Sequence, residues 1–198
     1  YVHDAKHSFA ELIIPTNDSI CYTHLLDVLV RNKHHVLMTG PTGTGKTTNI
    51  ERHLLTGLPE RYVPIIMGFS AQTGANQTQD LIDSKCDKRR KGVYGPPAGK
   101  DFIIMVHDVN MPMKEEYGAQ PPIEILRQWF DSGGWYDRAA LEFKKLIDFI
   151  FVCACGPPGG GRNDVTARFY RHFNVINYVD ISDKSLNVIF STILGNFL

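Results

Sequence analysis

The stretch GPTGTGKTT, residues 40–48, closes the apolar run HVLMTG and opens a helix-compatible run, TNIERHLL. Gly40-x-x-x-x-Gly45-Lys46-Thr47 is the spacing of a phosphate-binding loop. Its glycines free the backbone to wrap N–H groups around phosphate oxygens, and the helix that follows aims its positive end at them. A side chain at Gly43 or Gly45 is expected to put a Cβ into that wrap. Lys46 is placed to reach the terminal phosphates as a point charge, and the Thr47 hydroxyl to take one position on a magnesium ion. Gly40, Pro41, Thr42, Gly43, Thr44, Gly45, Lys46, Thr47 and Thr48 are therefore read as binding a nucleoside phosphate, with Mg2+ at Thr47.

A loop of this kind needs an acidic residue at the tip of a second apolar strand, because that tip faces the phosphates and their metal. FIIMVHDVN, residues 102–110, supplies Asp108, read as a metal and catalytic residue; an aspartate that caps the next turn is the plainer alternative. Asn110 would orient a water or bond the switch loop, and Met111, Pro112 and Met113 turn the chain. A later strand ends in CGPPGGGRNDVTARFYRHFNV, residues 155–175. Its three successive glycines permit a sharp loop, and Arg162, Arg168 and Arg171 are read as cations close to the site. An arginine that meets a terminal phosphate stabilises the charge of phosphoryl transfer, whereas any single one is otherwise a surface ion pair.

Five short apolar runs rich in β-branched and aromatic residues read as strands, at 36–39, 63–69, 102–106, 147–154 and 173–179. Between them lie helical patterns: one capped by Thr16 or Asn17 and running to residue 29, one over 45–55, one over about 76–91, and one opening at Pro121 or Pro122. Strand and helix alternate, so parallel pairing with right-handed crossovers follows. The runs are continuously apolar, which means both sheet faces are covered. A three-layer α/β/α sandwich around a parallel five-stranded sheet is expected. KGVYGPPAGKD and DSGGWYDRAALEFKKL interrupt the alternation and look like loops or a hairpin.

With 198 residues, 43% of them hydrophobic, the chain can bury one good core. Its 21 basic and 21 acidic residues cancel, so no global field draws it to nucleic acid or an anionic membrane. The cluster Lys88, Arg89, Arg90 and Lys91 reads as a solvated helix end, or a contact to a neighbouring module, rather than a nucleic-acid contact. The four cysteines show no zinc spacing and read as reduced thiols of a cytosolic protein. Trp129, Phe130, Trp135 and Tyr136 fit a core helix and packed turn better than a stacking platform, and His34 and His35 lie far from the phosphates. No apolar run reaches the roughly 20 residues of a membrane span. The apolar-periodic end, LNVIFSTIL, suggests a piece cut from a longer protein.

Taken with the phosphate loop, the blocks FSAQTGANQTQDLIDSKCDKRRKGVYGPPAGK, VNMP, YGAQPPIEILRQW, GGWYDR and GPPGGGRNDVTARFYRHFNV resemble an AAA+ module of a dynein heavy chain, most of all the third module of the axonemal type. The resemblance covers nearly the whole chain. It implies a P-loop NTPase fold, the AAA+ large subdomain, with strand order 5-1-4-3-2, spanning residues 36–182. Residues 1–35 would form a linker and the adenine-side helix, and 183–198 the start of a helical lid. Ile13, Ile14, Pro15 and Thr16 would lie over the adenine of ATP or ADP. Arg171, with Arg168 as runner-up, would act as a finger on the nucleotide of the preceding module. Implied partners are the neighbouring AAA+ modules of the same heavy chain, with dynein intermediate and light chains and microtubules met through the full-length protein, and no nucleic acid or membrane. The implied setting is cytoplasm, cytoskeleton and the ciliary axoneme.

Two departures matter. Gly156 stands where other AAA+ proteins carry a polar sensor, as is usual for this module. The family pattern Asp-Asp-x-Asn is here His107-Asp108-Val109-Asn110. A neutral imidazole can accept a hydrogen bond from a metal-bound water but brings no negative charge to a dication, and Asp is a shorter base than the catalytic glutamate of active AAA+ enzymes. A regulatory module of a microtubule motor that binds ATP or ADP with weak or absent hydrolysis is expected. The alternatives are that Asp108 alone sustains hydrolysis, or that the chain is a self-sufficient P-loop ATPase acting on another substrate or on nucleic acid.

Overall fold

Strand residues alternate between two separate apolar clusters, and that alternation sets the architecture. In the computed structural model, which describes residues 12–197, strand β5 (Asp101–His107) sends Phe102, Ile104 and Val106 into one cluster and Ile103 and Met105 into the other. Strand β8 (Phe149–Ala154) does the same with Phe149, Phe151 and Cys153 against Ile150, Val152 and Ala154. Every residue of β8 is buried. Each fully buried aliphatic side chain contributes about 1.5–3 kcal/mol, so neither face of these strands can be left to water.

Helices supply the covers. On one face lie α1 (Asn17–Arg31) and α2 (Lys46–Arg52), which bury Leu26, Val30 and Ile50. On the other lie α3 (Ala75–Asp83) and α4 (Pro121–Ser132), burying Ile82, Ile123 and Leu126. Thr16 caps α1 in a reciprocal pair with Ser19, and prolines open α4, as their residue types favour. Strands β1 (Val36–Thr39), β2 (Tyr62–Gly68) and β9 (Asn174–Asn177) complete a fully parallel sheet in the order β2-β5-β8-β1-β9. Counted along the chain, these are strands 2-3-4-1-5, the expected 5-1-4-3-2 read from the other edge. The helix over 183–198 is α6 (Asp183–Phe197). Residues 1–11 of the expected linker lie outside the described residues, and no described helix is long and apolar enough to cross a membrane.

The two interruptions are more than loops. β3 (Asp87–Arg90), β4 (Val93–Gly95), β6 (Gly134–Tyr136) and β7 (Phe143–Leu146) form a second sheet, β3-β4-β7-β6, in which the two insertions pair with each other through β4 and β7. The helix expected over 76–91 therefore stops at Asp83, and its basic end is an edge strand. Lys91 and Gly92, the latter at φ +71°, close the β3–β4 hairpin, and cross-strand pairing wins over helical propensity. All four residues of β3 are exposed, and charge on an edge guards it against strand addition. The helix expected over 45–55 gives way after Arg52 to a π-helical turn, His53–Gly57.

Aromatic packing agrees with the core reading of Trp129 and Phe130, which sit in contact with Phe151 at ring separations of 5.0 and 5.1 Å. His35 is enclosed by Trp129, Phe130, Phe151 and Phe173. Its Nδ1 accepts the Phe151 N–H at 3.1 Å, so the ring is neutral, and burial pushes its pKa down to about 4. Because the unfolded chain takes up this proton near pH 6.5, the contribution is complete above that pH and is lost as pH falls toward 4. His35→Gln should remove about 3 kcal/mol of acid sensitivity across that window, read as the difference in urea midpoints between the two proteins at pH 7 and pH 4.5; parallel pH profiles would refute it.

Gly40 is the point at which β1 becomes the phosphate loop. Its φ is +140°, and a Cβ there would lie 2.3 Å from the Tyr178 carbonyl oxygen. Gly43 and Gly45 also have positive φ, +84° and +77°, yet a Cβ at Gly43 would meet no protein atom within 4 Å. Against the protein itself, handedness rather than room favours glycine there. Gly40→Ala should cost about 3 kcal/mol or more and Gly43→Ala about 1–2 kcal/mol. Equal costs in chemical denaturation would contradict the role given to the Tyr178 contact.

Candidate functional site

Parallel strands all present their C-terminal ends on one edge of the sheet, and the helix N-terminus that follows β1 opens there too. The sheet order thus brings the 40–48 loop between the tips of its neighbours. Thr42, Gly43, Gly45, Lys46, Thr47 and Thr48 line a cavity of about 390 Å3 together with Asp108 from the tip of β5 and Cys155, Gly156 and Arg162 from beyond β8. A second cavity of about 250 Å3 shares Gly45 and Thr48 with the first. Ile13, Ile14, Thr16, Tyr22, Val179, Ile181 and Ile189 make its wall largely apolar. Pro15, expected with its neighbours, is exposed and lines a separate groove beside α1.

The loop is braced from within. Lys46 Nζ donates to the Gly40 carbonyl at 2.8 Å, to the Pro41 carbonyl at 2.5 Å and to the Thr44 hydroxyl at 3.3 Å. Burial lowers the Lys46 pKa, and the positive charge of Arg162 adds to that against Cys155 and Asp108. Thr44 in turn donates to the Pro41 carbonyl. Tyr178, against which Gly40 rests, stacks on Tyr22 at 3.9 Å between ring centres, so the loop and the wall of the apolar cavity share one support.

At the strand tips, Asp108 has φ +47°, a left-handed conformation that Asp tolerates better than most residues. Its carboxylate, half exposed, is paired with Arg162 at 3.3 Å. His107, the residue before Asp108, is not among those that line the cavity. Its Nε2 lies 2.9 Å from Glu51 Oε1, and its Nδ1 is buried with no hydrogen-bond partner among the described residues. Glu51 was not anticipated. It stands four residues after Thr47 on α2, hence on the same helical face, and that spacing was the available signal. Asn110 donates from Nδ2 to the Gly156 carbonyl at 2.9 Å.

Of the three arginines read as close to the site, Arg162 alone lines the phosphate cavity. Arg171 pairs with Asp131 at 2.7 Å, outside the cavity, and Arg168 is exposed. Sequence reasoning also missed the far wall of the apolar cavity, where Val179, Ile181, Ser185 and Ile189 arrive from after β9 and from α6. No cluster of three or more His, Cys, Asp or Glu that could hold a metal is present among the described residues. Thr47 and Asp108 do place two hard oxygen donors on one cavity, a set that fits magnesium brought in with a polyphosphate.

The chain matches the family described as the P-loop containing dynein motor region over residues 1–181. It is 57% identical over 192 residues, 96% of its length, to dynein axonemal heavy chain 1 of Homo sapiens. Dynein axonemal heavy chain 12 of Mus musculus is 48% identical over all 198 residues, and dynein axonemal heavy chain 3 of Homo sapiens 50% over 186 residues, 93% of the chain. The chain spans only 4–6% of the length of these relatives. On the phosphate loop, the parallel sheet that frames it and this match over most of its residues, the chain belongs to the P-loop containing dynein motor region family, an AAA+ module of dynein heavy chains.

Proposed function

We propose that the module binds ATP or ADP with Mg2+, hydrolyses it slowly or not at all, and regulates a microtubule-based motor of the ciliary axoneme. The observation that carries this reading is the junction of an apolar cleft and a cationic cup through Gly45 and Thr48. A purine has the first kind of surface and a polyphosphate the second. In this reading Ile13, Ile14 and Thr16 hold the base, and the loop N–H groups and Lys46 take the phosphates. Thr47 and Asp108 hold the metal, which when bound neutralises phosphate charge.

Slow turnover follows from how the two strand-tip residues are engaged. Where the family carries a carboxylate, His107 is hydrogen-bonded to Glu51, and Asp108 is held by Arg162. Neither is a free base against a bound water. Nucleotide occupancy would then act through the neighbouring AAA+ modules, by favouring one arrangement of this domain against them. Arg171, outside its own cavity, is the arginine we assign to the preceding module's nucleotide.

Calorimetric titration of ATP and of ADP, with and without magnesium, tests the site. Binding is expected, and Lys46→Ala should weaken it roughly 10- to 100-fold; a chain indifferent to both nucleotides would end the proposal. Hydrolysis is tested by single-turnover measurement. Since an aspartate at position 107 would face Glu51, the informative variant is His107→Asp with Glu51→Gln, and its rate should exceed that of the natural chain by roughly tenfold or more. Equal rates would show that Asp108 alone sets the chemistry.

A further inference from the structure

Arg162 reaches the phosphate cavity by a built route. Gly159 and Arg162 bond each other's backbone at 3.0 and 3.1 Å across a turn in which Gly159, Gly160 and Gly161 all have positive φ. The next residue ties the turn to the loop that carries Asp108: the Asn163 N–H donates to the Asn110 carbonyl at 2.8 Å, and its Nδ2 to the Pro112 carbonyl at 2.9 Å. Asn110 closes the ring through the Gly156 carbonyl. The guanidinium then lies over Gly156, where a Cβ would come within 2.8 Å of Arg162 Nε. The missing side chain at position 156 is thus the space the arginine fills.

Its hydrogen bonding is incomplete. Nη2 is 3.3 Å from one oxygen of a half-exposed carboxylate, a long contact, and Nε is buried with no partner among the described residues. A guanidinium with one donor unspent and its neighbour held only by a long contact suits a two-oxygen anion, a carboxylate or a phosphoryl group. Lys46 and Arg162 against Asp108 leave the cavity one positive charge in excess. The position along a bound polyphosphate follows from its neighbours. The loop amides and helix N-terminus surround the inner phosphates, whereas Asp108, to which Arg162 is bonded, belongs to the terminal, metal-bearing end.

We infer that Arg162, seated over Gly156, is an internal reader of the terminal phosphate, which distinguishes a nucleoside triphosphate from a diphosphate within this module. The inference rests on the nucleotide reading of the site and adds to it a residue and a selectivity. With a triphosphate, the guanidinium bonds the terminal phosphoryl oxygens while it keeps its contact to Asp108; with a diphosphate, Asp108 alone engages it.

The test is calorimetry of the chain with two probes, the β,γ-methylene analogue of ATP and ADP, each with magnesium. Arg162→Ala should weaken the triphosphate analogue roughly 10- to 100-fold and ADP less than about threefold. Gly156→Ala should act in the same direction, because its Cβ displaces the guanidinium, and Arg162→Lys should recover part of the loss by returning charge without the fork. Matching far-UV circular dichroism identifies the variants that are folded, and Arg162→Lys decides the matter if the alanine variants are not. Equal losses for both probes, or no loss for either, would overturn the inference while leaving the nucleotide site intact. A natural chain that binds neither probe would instead overturn the site itself, and the inference with it.

Discussion

The constraint on which everything else depends is that the two central strands have no polar side. Five consecutive residues of β5, 102–106, and all six of β8 are buried, divided between clusters above and below the sheet. Polar chemistry is excluded from their length and can appear only at their tips. Because the strands are parallel and right-handed crossovers return each to the same edge, Asp108, Gly156 and the loop after β1 emerge together without any contact between them being needed to bring them there. The cavity is a consequence of the core.

This explains why so much was legible. Runs such as FIIMV and FIFVCA carry their burial in every residue, and the phosphate loop carries a spacing that few other structures require. Reading failed where a residue's state depends on a partner distant in sequence. The DKRR segment has the composition of a solvated helix end, and only the pairing of Lys88 with Tyr94, and of β4 with β7 far along the chain, makes it a strand. Pro15 was grouped with Ile13, Ile14 and Thr16 by adjacency, yet a chain entering a helix turns successive side chains to different sides. The apolar cavity's far wall comes from residues more than 160 positions later, which no local pattern connects to it.

The glycines show the same division. Gly40, Gly43 and Gly45 are equivalent in a motif but not in the fold: the first is fixed by a backbone oxygen of the chain after β9, the others by backbone handedness alone. The Gly40 contact also has a structural reach beyond the loop. Tyr178 donates its N–H to Thr39 and stacks on Tyr22, so the edge strand, the phosphate loop and α1 meet at one ring. A change in loop shape cannot be confined to the loop, since interiors packed at crystal-like density transmit displacement rather than absorb it.

Charge bookkeeping at the strand tips separates holding a nucleotide from breaking it. Capture needs only excess positive charge and oriented amides, and Lys46, Arg162 and the N-terminus of α2 supply these with a single carboxylate, Asp108, among them. Cleavage needs negative charge close to the metal and a base near the attacking water. Where the family carries a carboxylate, His107 is instead paired with Glu51, and neither lines the cavity. Arg162 draws on the one acid that remains. In the function proposed above, the same residues that leave the cup more cationic, and so better suited to capture, take away what cleavage would require, so the two properties are opposed rather than tuned independently.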